Sequence, residues 1–226
     1  MTNNPDQEYA KAVIEKMRVV PASRMDCQKF ILSIHYARRW PSVTFRYALE
    51  ISGEICGVVT FGSPPSAPLL KGLAGHEYSN QILELNRLCL LNNKKNEASF
   101  LVANAIKQLP KNRIIISYAD PSEGHIGYVY QACNFYYCGL SAKRTNWQIK
   151  GQEHKHARTI AGNNTALLMR EKHGDNFYLA DRQRKHRYLF FHGSKSWRRK
   201  AIKAVRYPFL PFPKASNKDY EVSNDQ

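Results

Sequence analysis

Residues 113–139 read RIIISYADPSEGHIGYVYQACNFYYCG, and the fold follows from how this stretch changes character. An apolar run, Ile114-Ile115-Ile116, passes into the polar Ser117-Tyr118-Ala119-Asp120. Such a run bounded by turn signals predicts a buried strand. Pro121, Ser122, Glu123 and Gly124 break any regular period and predict a loop. A helix is expected over 125–133 and an aromatic strand over 135–140. A buried strand that ends on a carboxylate and runs straight into a loop and helix is common at active-site edges of α/β folds.

Upstream, residues 82–91, ILELNRLCLL, predict a central strand. Leu83, Leu85, Arg87 and Cys89 would share one face, with Glu84, Asn86 and Leu88 on the other. Three polar groups in so apolar a strand must be paired or must meet a ligand; an internal network of Glu84 with Arg87 or a nearby loop stands against the ligand reading. Asn96 then caps a helix over 97–109 that buries Leu101, Val102, Ala105, Ile106 and Leu109. Ser99 falls in its first turn, where free N–H groups suit an anionic cofactor. Earlier still, Phe45, Tyr47, Leu49 and Ile51 alternate with polar or small residues, and 55–61 returns after Ser52-Gly53 as an antiparallel hairpin. Residues 62–68 form a loop with three prolines. A helix over 25–39, capped by Ser23, ends in His35-Tyr36-Ala37-Arg38-Arg39-Trp40 before Pro41. Cations favour a helix C-terminus, so a capping reading and a functional reading of that cluster stand side by side. Tyr9, Val13, Ile14 and Met17 lie at helical spacing and predict a first helix over 8–20.

The 226 residues can bury one good core. Lys and Arg number 34 against 18 Asp and Glu, giving +16 and a pI near 9.7. That excess points to a polyanion, nucleic acid first and a membrane surface second. Mean hydropathy is −0.53 and no apolar run approaches the roughly 20 residues of a membrane span. With no charged-then-apolar leader at the start, an intracellular protein is expected. Five cysteines without a CxxC pair predict reduced core thiols. Residues 182–206 hold ten Lys or Arg and no acid, interleaved with Tyr188, Phe190, Phe191 and Trp197. Cations among aromatics suit phosphate contact with stacking; a strand-turn-helix with a solvated basic face is the plainer reading. His154 and His156 alternate with lysine and suggest metal binding only weakly.

The strings ELNRLCL (84–90), NEASFL (96–101), SYAD (117–120), GHIGYVYQACNFYYCGLSAK (124–143) and HART (156–159), with His35-Tyr36, resemble the phage Mom family of DNA-modification proteins. The resemblance spans about residues 25–165, and the end of the basic segment, YPFLPFPK (207–214), is similar to tails of that family's relatives. It implies an α/β, GNAT-like fold: a mixed, largely antiparallel central sheet flanked by helices, with a basic C-terminal extension. The expected division is a GNAT-like catalytic domain over 1–162, the basic aromatic-rich extension over 163–214, and a disordered tail over 215–226. The implied activity turns adenine N6 in DNA into an acetamido (carbamoylmethyl)-type adduct that protects phage DNA from host restriction. It also implies double-stranded DNA as partner, no membrane, and the cytoplasm of an infected host; a homodimer stays open.

In a fold of this kind the strands at 82–91 and 113–120 would splay and hold the donor between them. GNAT enzymes cradle a pyrophosphate with a glycine-rich loop after the first of these strands, and here that position reads NNKKNEAS. Acetyl-CoA therefore competes with other anionic or carbonyl-bearing donors, held by Glu84, Asn86, Arg87, Asn96 and Ser99. The adenine amine is delocalised and needs a base, with Asp120 or His35 as candidates, and Tyr36 and Ser117 beside them. Iron held by His35 and Asp120 is a further option. Arg38, Arg39, Trp40, Tyr118, Tyr137, Lys143, Arg144, Arg198 and Arg199 are candidate DNA contacts, with the aromatics stacking on a flipped base. The competing classes are a non-enzymatic DNA-binding protein and an N-acyltransferase acting on a small molecule or protein.

Overall fold

The computed structural model describes residues 16–153, 155 and 157–213. In chain order the strands are β1 (Met17–Pro21), β2 (Phe45–Ile51), β3 (Glu54–Gly62), β4 (Ile82–Leu90), β5 (Arg113–Ala119), β6 (Tyr136–Leu140), β7 (Arg144–Ile149), β8 (Phe177–Arg182) and β9 (His186–His192). The helices are α1 (Arg24–Ser33), α2 (Ala67–Ala74), α3 (Glu97–Gln108), α4 (Tyr128–Ala132), α5 (Ala157–Ala161), α6 (Ala166–His173) and α7 (Lys195–Ala204). Seven strands form one sheet in the order β1-β2-β3-β4-β5-β9-β6. The pairings from β1 through β4 are antiparallel and β4–β5 is parallel. The sheet is thus mixed and largely antiparallel, flanked by helices, as expected.

Four expectations need correction. Residues 17–21, placed in a helix, form an edge strand paired from Met17↔Ile51 to Pro21↔Tyr47. Val19 and Val20 favour the pleat, and a proline costs least at a sheet edge; the rest of the expected helix lies outside the described residues. The helix expected over 25–39 stops at Ser33, and the one expected over 125–133 begins only after Gly127, whose φ is 92°. The segment from 163 is not an appendage. β9 lies inside the sheet, between β5 and β6. Its sequence HRYLFFH is buried at every residue but Phe190, which basic neighbours disguise.

The chain divides into two compact units. The first comprises the described residues of 1–118, with 127–139 and 187–213. One of its cores joins Leu73, Ile114, Ile116, Leu189, Phe191 and Ala201; another joins Cys27, Phe30, Ile31, Ala48, Val58 and Cys89. The second unit takes in 119–126 and the described residues of 140–186. It is built on the β7–β8 ladder, from Arg144↔Arg182 to Ile149↔Phe177, over a core of Ile149, Ile160, Met169 and Phe177. Nothing in the polar sequence of 141–181 announced this small sheet. His154 and His156 lie outside the described residues.

Candidate functional site

The centre of the first unit is a fork. β4 and β5 pair in parallel over only three rungs, Ile82↔Ile114, Leu83↔Ile115 and Glu84↔Ile116, although β4 continues to Leu90 and β5 to Ala119. Beyond Glu84 and Ile116 the two backbones part. At the branch point the Ser117 hydroxyl, fully buried, donates to the Leu85 carbonyl at 2.9 Å. That bond satisfies the first carbonyl the missing ladder leaves open. The Tyr130 hydroxyl lies beside Ser117. Burial pushes Tyr130 up to about 12, so it remains protonated at neutral pH. Sequence reasoning passed over Tyr130 because its period in the short α4 marks it only as a core aromatic.

The polar residues of β4 find their partners on the segment that follows α1. The register of β4 with β3 jumps from Thr60↔Arg87 to Phe61↔Leu85, leaving Asn86 as a bulge. Its Oδ1 accepts from the Thr60 hydroxyl at 2.6 Å and its Nδ2 donates to the Ser42 carbonyl at 2.6 Å. Arg87 donates through Nε and Nη2 to the Arg39 carbonyl at 3.3 and 3.1 Å, and through Nη1 to the Asn86 carbonyl at 2.6 Å. Two residues offered as cofactor ligands thus fasten residues 39–42 across the strand. A Cβ on Gly62 would lie 1.9 Å from the Ser42 oxygen, so that crossing also requires a glycine there.

The fastened segment carries His35 and Tyr36. The His35 ring is buried and stacks on Tyr36 with centroids 4.4 Å apart. Its Nδ1 accepts the Ala37 N–H at 3.0 Å, so the neutral ring keeps its proton on Nε2. His35 is therefore arranged as a donor at Nε2, which weakens its expected role as base. Glu84 and the half-exposed Tyr36 lie within electrostatic reach of both Arg87 and Tyr130. Electrostatics thus link Tyr36, Glu84, Arg87 and Tyr130 near the fork, with His35 stacked on Tyr36 and Ser117 at the branch. Tyr118 adjoins them: it hydrogen-bonds Arg187, whose guanidinium lies 3.8 Å over the Tyr207 ring.

Asp120 belongs to a different arrangement, in the second unit. Its carboxylate pairs with Lys185 Nζ at 2.5 Å and accepts from the Ser122 hydroxyl at 2.6 Å and the Ser122 N–H at 3.2 Å. Burial pushes this carboxyl up, but the Lys185 and Ser122 donors outweigh it and hold it below the ordinary range. A carboxylate so held is a poor proton acceptor. It caps the turn Pro121–Glu123 and anchors Lys185, itself fixed by Ser141 at 2.9 Å. Iron ligation by His35 with Asp120 gains no support, since among the described residues no three His, Cys, Asp or Glu gather to hold a metal ion.

Residues 16–214 match the Mom protein family. The chain belongs to that family. Membership brings the family's association with modification of phage DNA. No curated protein matches. Solved structures similar to this Mom-family chain include a Vibrio cholerae–human chimera of spermidine N-acetyltransferase, 10% identical, TM-score 0.45, covering 82% of this chain and 98% of the other. A putative acetyltransferase of Salmonella typhimurium with acetyl-CoA is 11% identical, TM-score 0.44, covering 80% and 95%. A Bacillus subtilis acetyltransferase with CoA is 14% identical, TM-score 0.42, covering 78% and 97%.

The start of α3 in this Mom-family chain does not fit a pyrophosphate. Asn96 is left-handed with φ 71° and makes no side-chain cap, contrary to expectation. The buried Glu97 instead takes the Lys94 N–H at 2.9 Å, so the helix start already holds a carboxylate that disfavours a second anion. The Ser99 hydroxyl donates to the Asn96 carbonyl. Of the expected DNA contacts, Tyr137 is buried against Tyr188 and Trp40 packs on the α1 core beneath Arg24, so both serve packing. Arg38, Arg39, Lys143, Arg144, Arg198 and Arg199 are exposed. All five cysteines are free thiols, and burial pushes Cys133 to about 11 and Cys138 to about 12, which makes them core residues rather than nucleophiles. No helix among the described residues is long and apolar enough to cross a membrane.

Proposed function

We propose that this chain is a GNAT-like transferase that converts adenine N6 in double-stranded phage DNA to a carbamoylmethyl-type adduct, which shields the DNA from host restriction. The observation that supports it is the fork, where β4 and β5 part just after Glu84, with Ser117 at the branch and Tyr130 and Tyr36 within electrostatic reach of Glu84 or of one another. A DNA-binding protein without catalysis has no need of such a set inside its sheet.

In the reaction the N6 electron pair forms the new N–C bond as the donor carbon's bond to its leaving group breaks. The leaving group departs with that electron pair, and the N6 proton passes to a base, because the delocalised amine is too weak a nucleophile to attack alone. Glu84, on the strand that forks from β5, is assigned the base role, and Asp120, held by Lys185 and Ser122, a structural one. The Nε2–H of His35 is suited to hydrogen-bond a developing negative charge, and Tyr36, stacked on His35, orients that ring. The adenine must leave the stack to reach the fork. The donor is left unassigned, and the start of α3 argues against a pyrophosphate-bearing one.

The deciding experiment is expression in bacteria, digestion of their DNA to nucleosides, and mass spectrometry for a modified deoxyadenosine. Unchanged nucleosides at good expression would reject the transferase and leave the DNA-binding reading, which the cationic face of α7 favours.

A further inference from the structure

The most charged surface of the first unit is α7, KSWRRKAIKA. Lys195, Arg198, Arg199, Lys200 and Lys203 are all exposed, and the helix has no acid. At 100° per residue, Lys195, Arg199 and Lys203 form one row at i, i+4 and i+8, with about 6 Å between neighbours. Nothing within the helix rewards this pattern. Like charges four residues apart repel, and cations in a first turn face the positive end of the helix dipole.

The other face of the helix is committed to the core. Ala201 is fully buried with Leu73, Ile114 and Ile116, Trp197 and Ile202 pack beside it, and Trp197 Nε1 donates to Gln81 at 3.0 Å. An amphipathic helix that lay in a membrane would need that apolar face for lipid. α7 therefore presents cations alone. Its start is seated where Gly193 meets Trp197 and Asn112, just ahead of β5. Its exit is held by the Arg206 N–H on the Leu73 carbonyl at 2.9 Å and by Tyr207 on Arg187, the partner of Tyr118 at the far end of β5. The helix thus runs along β5 from its beginning toward the fork.

We infer that the Lys195–Arg199–Lys203 row is a phosphate track: it grips the backbone of a DNA duplex and leads it to the fork. This rests on the proposed DNA substrate and names the surface that holds it. The helix that carries the row is already folded and packed on the core, so its backbone needs no ordering on binding.

The test compares the wild type with a row variant, Lys195→Gln/Arg199→Gln/Lys203→Gln, and an equal-charge control on the second unit, Lys150→Gln/Lys155→Gln/Lys172→Gln. Binding to a short DNA duplex is titrated across salt concentrations, with matched thermal melts to confirm folding. The row variant should lose about two to three from the slope of log affinity against log salt, and the control much less. Equal slopes for the row variant and wild type, or an equal loss in the control, overturns the track. So does tighter wild-type binding to an RNA duplex or to phosphatidylserine vesicles. Unmodified nucleosides with a normal DNA slope would reject the transferase and keep the track; modified nucleosides with an undiminished slope in the row variant would do the reverse.

Discussion

At the scale of single residues, the proposed base is Glu84 rather than Asp120. From the sequence Asp120 and His35 are both candidate bases, Asp120 because it ends a buried strand before a loop. In the fold it is an anchor, with both oxygens engaged by Lys185 and Ser122. Asp120→Asn should cost about 2 kcal/mol, because it leaves Lys185 without its counter-charge, yet the DNA modified per folded molecule should stay near wild type. Glu84→Gln should show the opposite pattern in activity: modification per folded molecule down by about 100-fold or more. Nucleoside mass spectrometry beside thermal melts separates the two. Loss of modification in Asp120→Asn at full folding would restore Asp120 as base.

At the scale of elements, α1 ends early and the chain after it is laid across β3 and β4. Asn86 could be seen in the sequence as a polar intruder in a strand, but its partners, Thr60 and Ser42, lie 26 and 44 residues away. A bulge at that residue turns the side chain toward them, which no strand period predicts. Two glycines test this reading. Gly62→Ala should destabilise by at least about 2 kcal/mol and depress modification further than the stability loss explains, since the new methyl would push the Ser42 carbonyl off its site. Gly72→Ala, in α2 with open space around it, should stabilise by about 0.5–1 kcal/mol. Denaturant unfolding measures both, and a neutral Gly62→Ala would show that the crossing is not tightly fixed.

At the scale of the molecule, histidines on β9 set an acid limit. His186 is fully buried, and burial pushes it down to about 4; His192, bonded to the Leu109 carbonyl, is also pushed down by burial. The unfolded chain takes up these protons near pH 6.5, while the folded one resists. The stabilisation is therefore full above about 6.5 and is lost as pH falls toward about 4. From His186 alone the loss should reach about 2 kcal/mol by pH 5. Melting temperature should fall from pH 7.5 to pH 5 in the wild type and fall less in His186→Gln. An identical pH slope in the variant would exclude His186 as the cause.

The sequence by itself determined the class of sheet, the pairing of β2 with β3, the neighbouring strands at 82–90 and 113–119, and the buried face of α3, because period and turn chemistry are local. It also marked most of the residues that meet at the fork, as polar groups too many for an apolar strand. Tertiary structure alone decided which of them hold the chain together. Hydrogen-bond partners distant in sequence turned Asn86, Arg87 and Asp120 into fasteners, and a strand hidden in a basic segment proved to be central to the sheet. A side chain's role depends on what already satisfies it, and that is settled only when the chain has closed on itself.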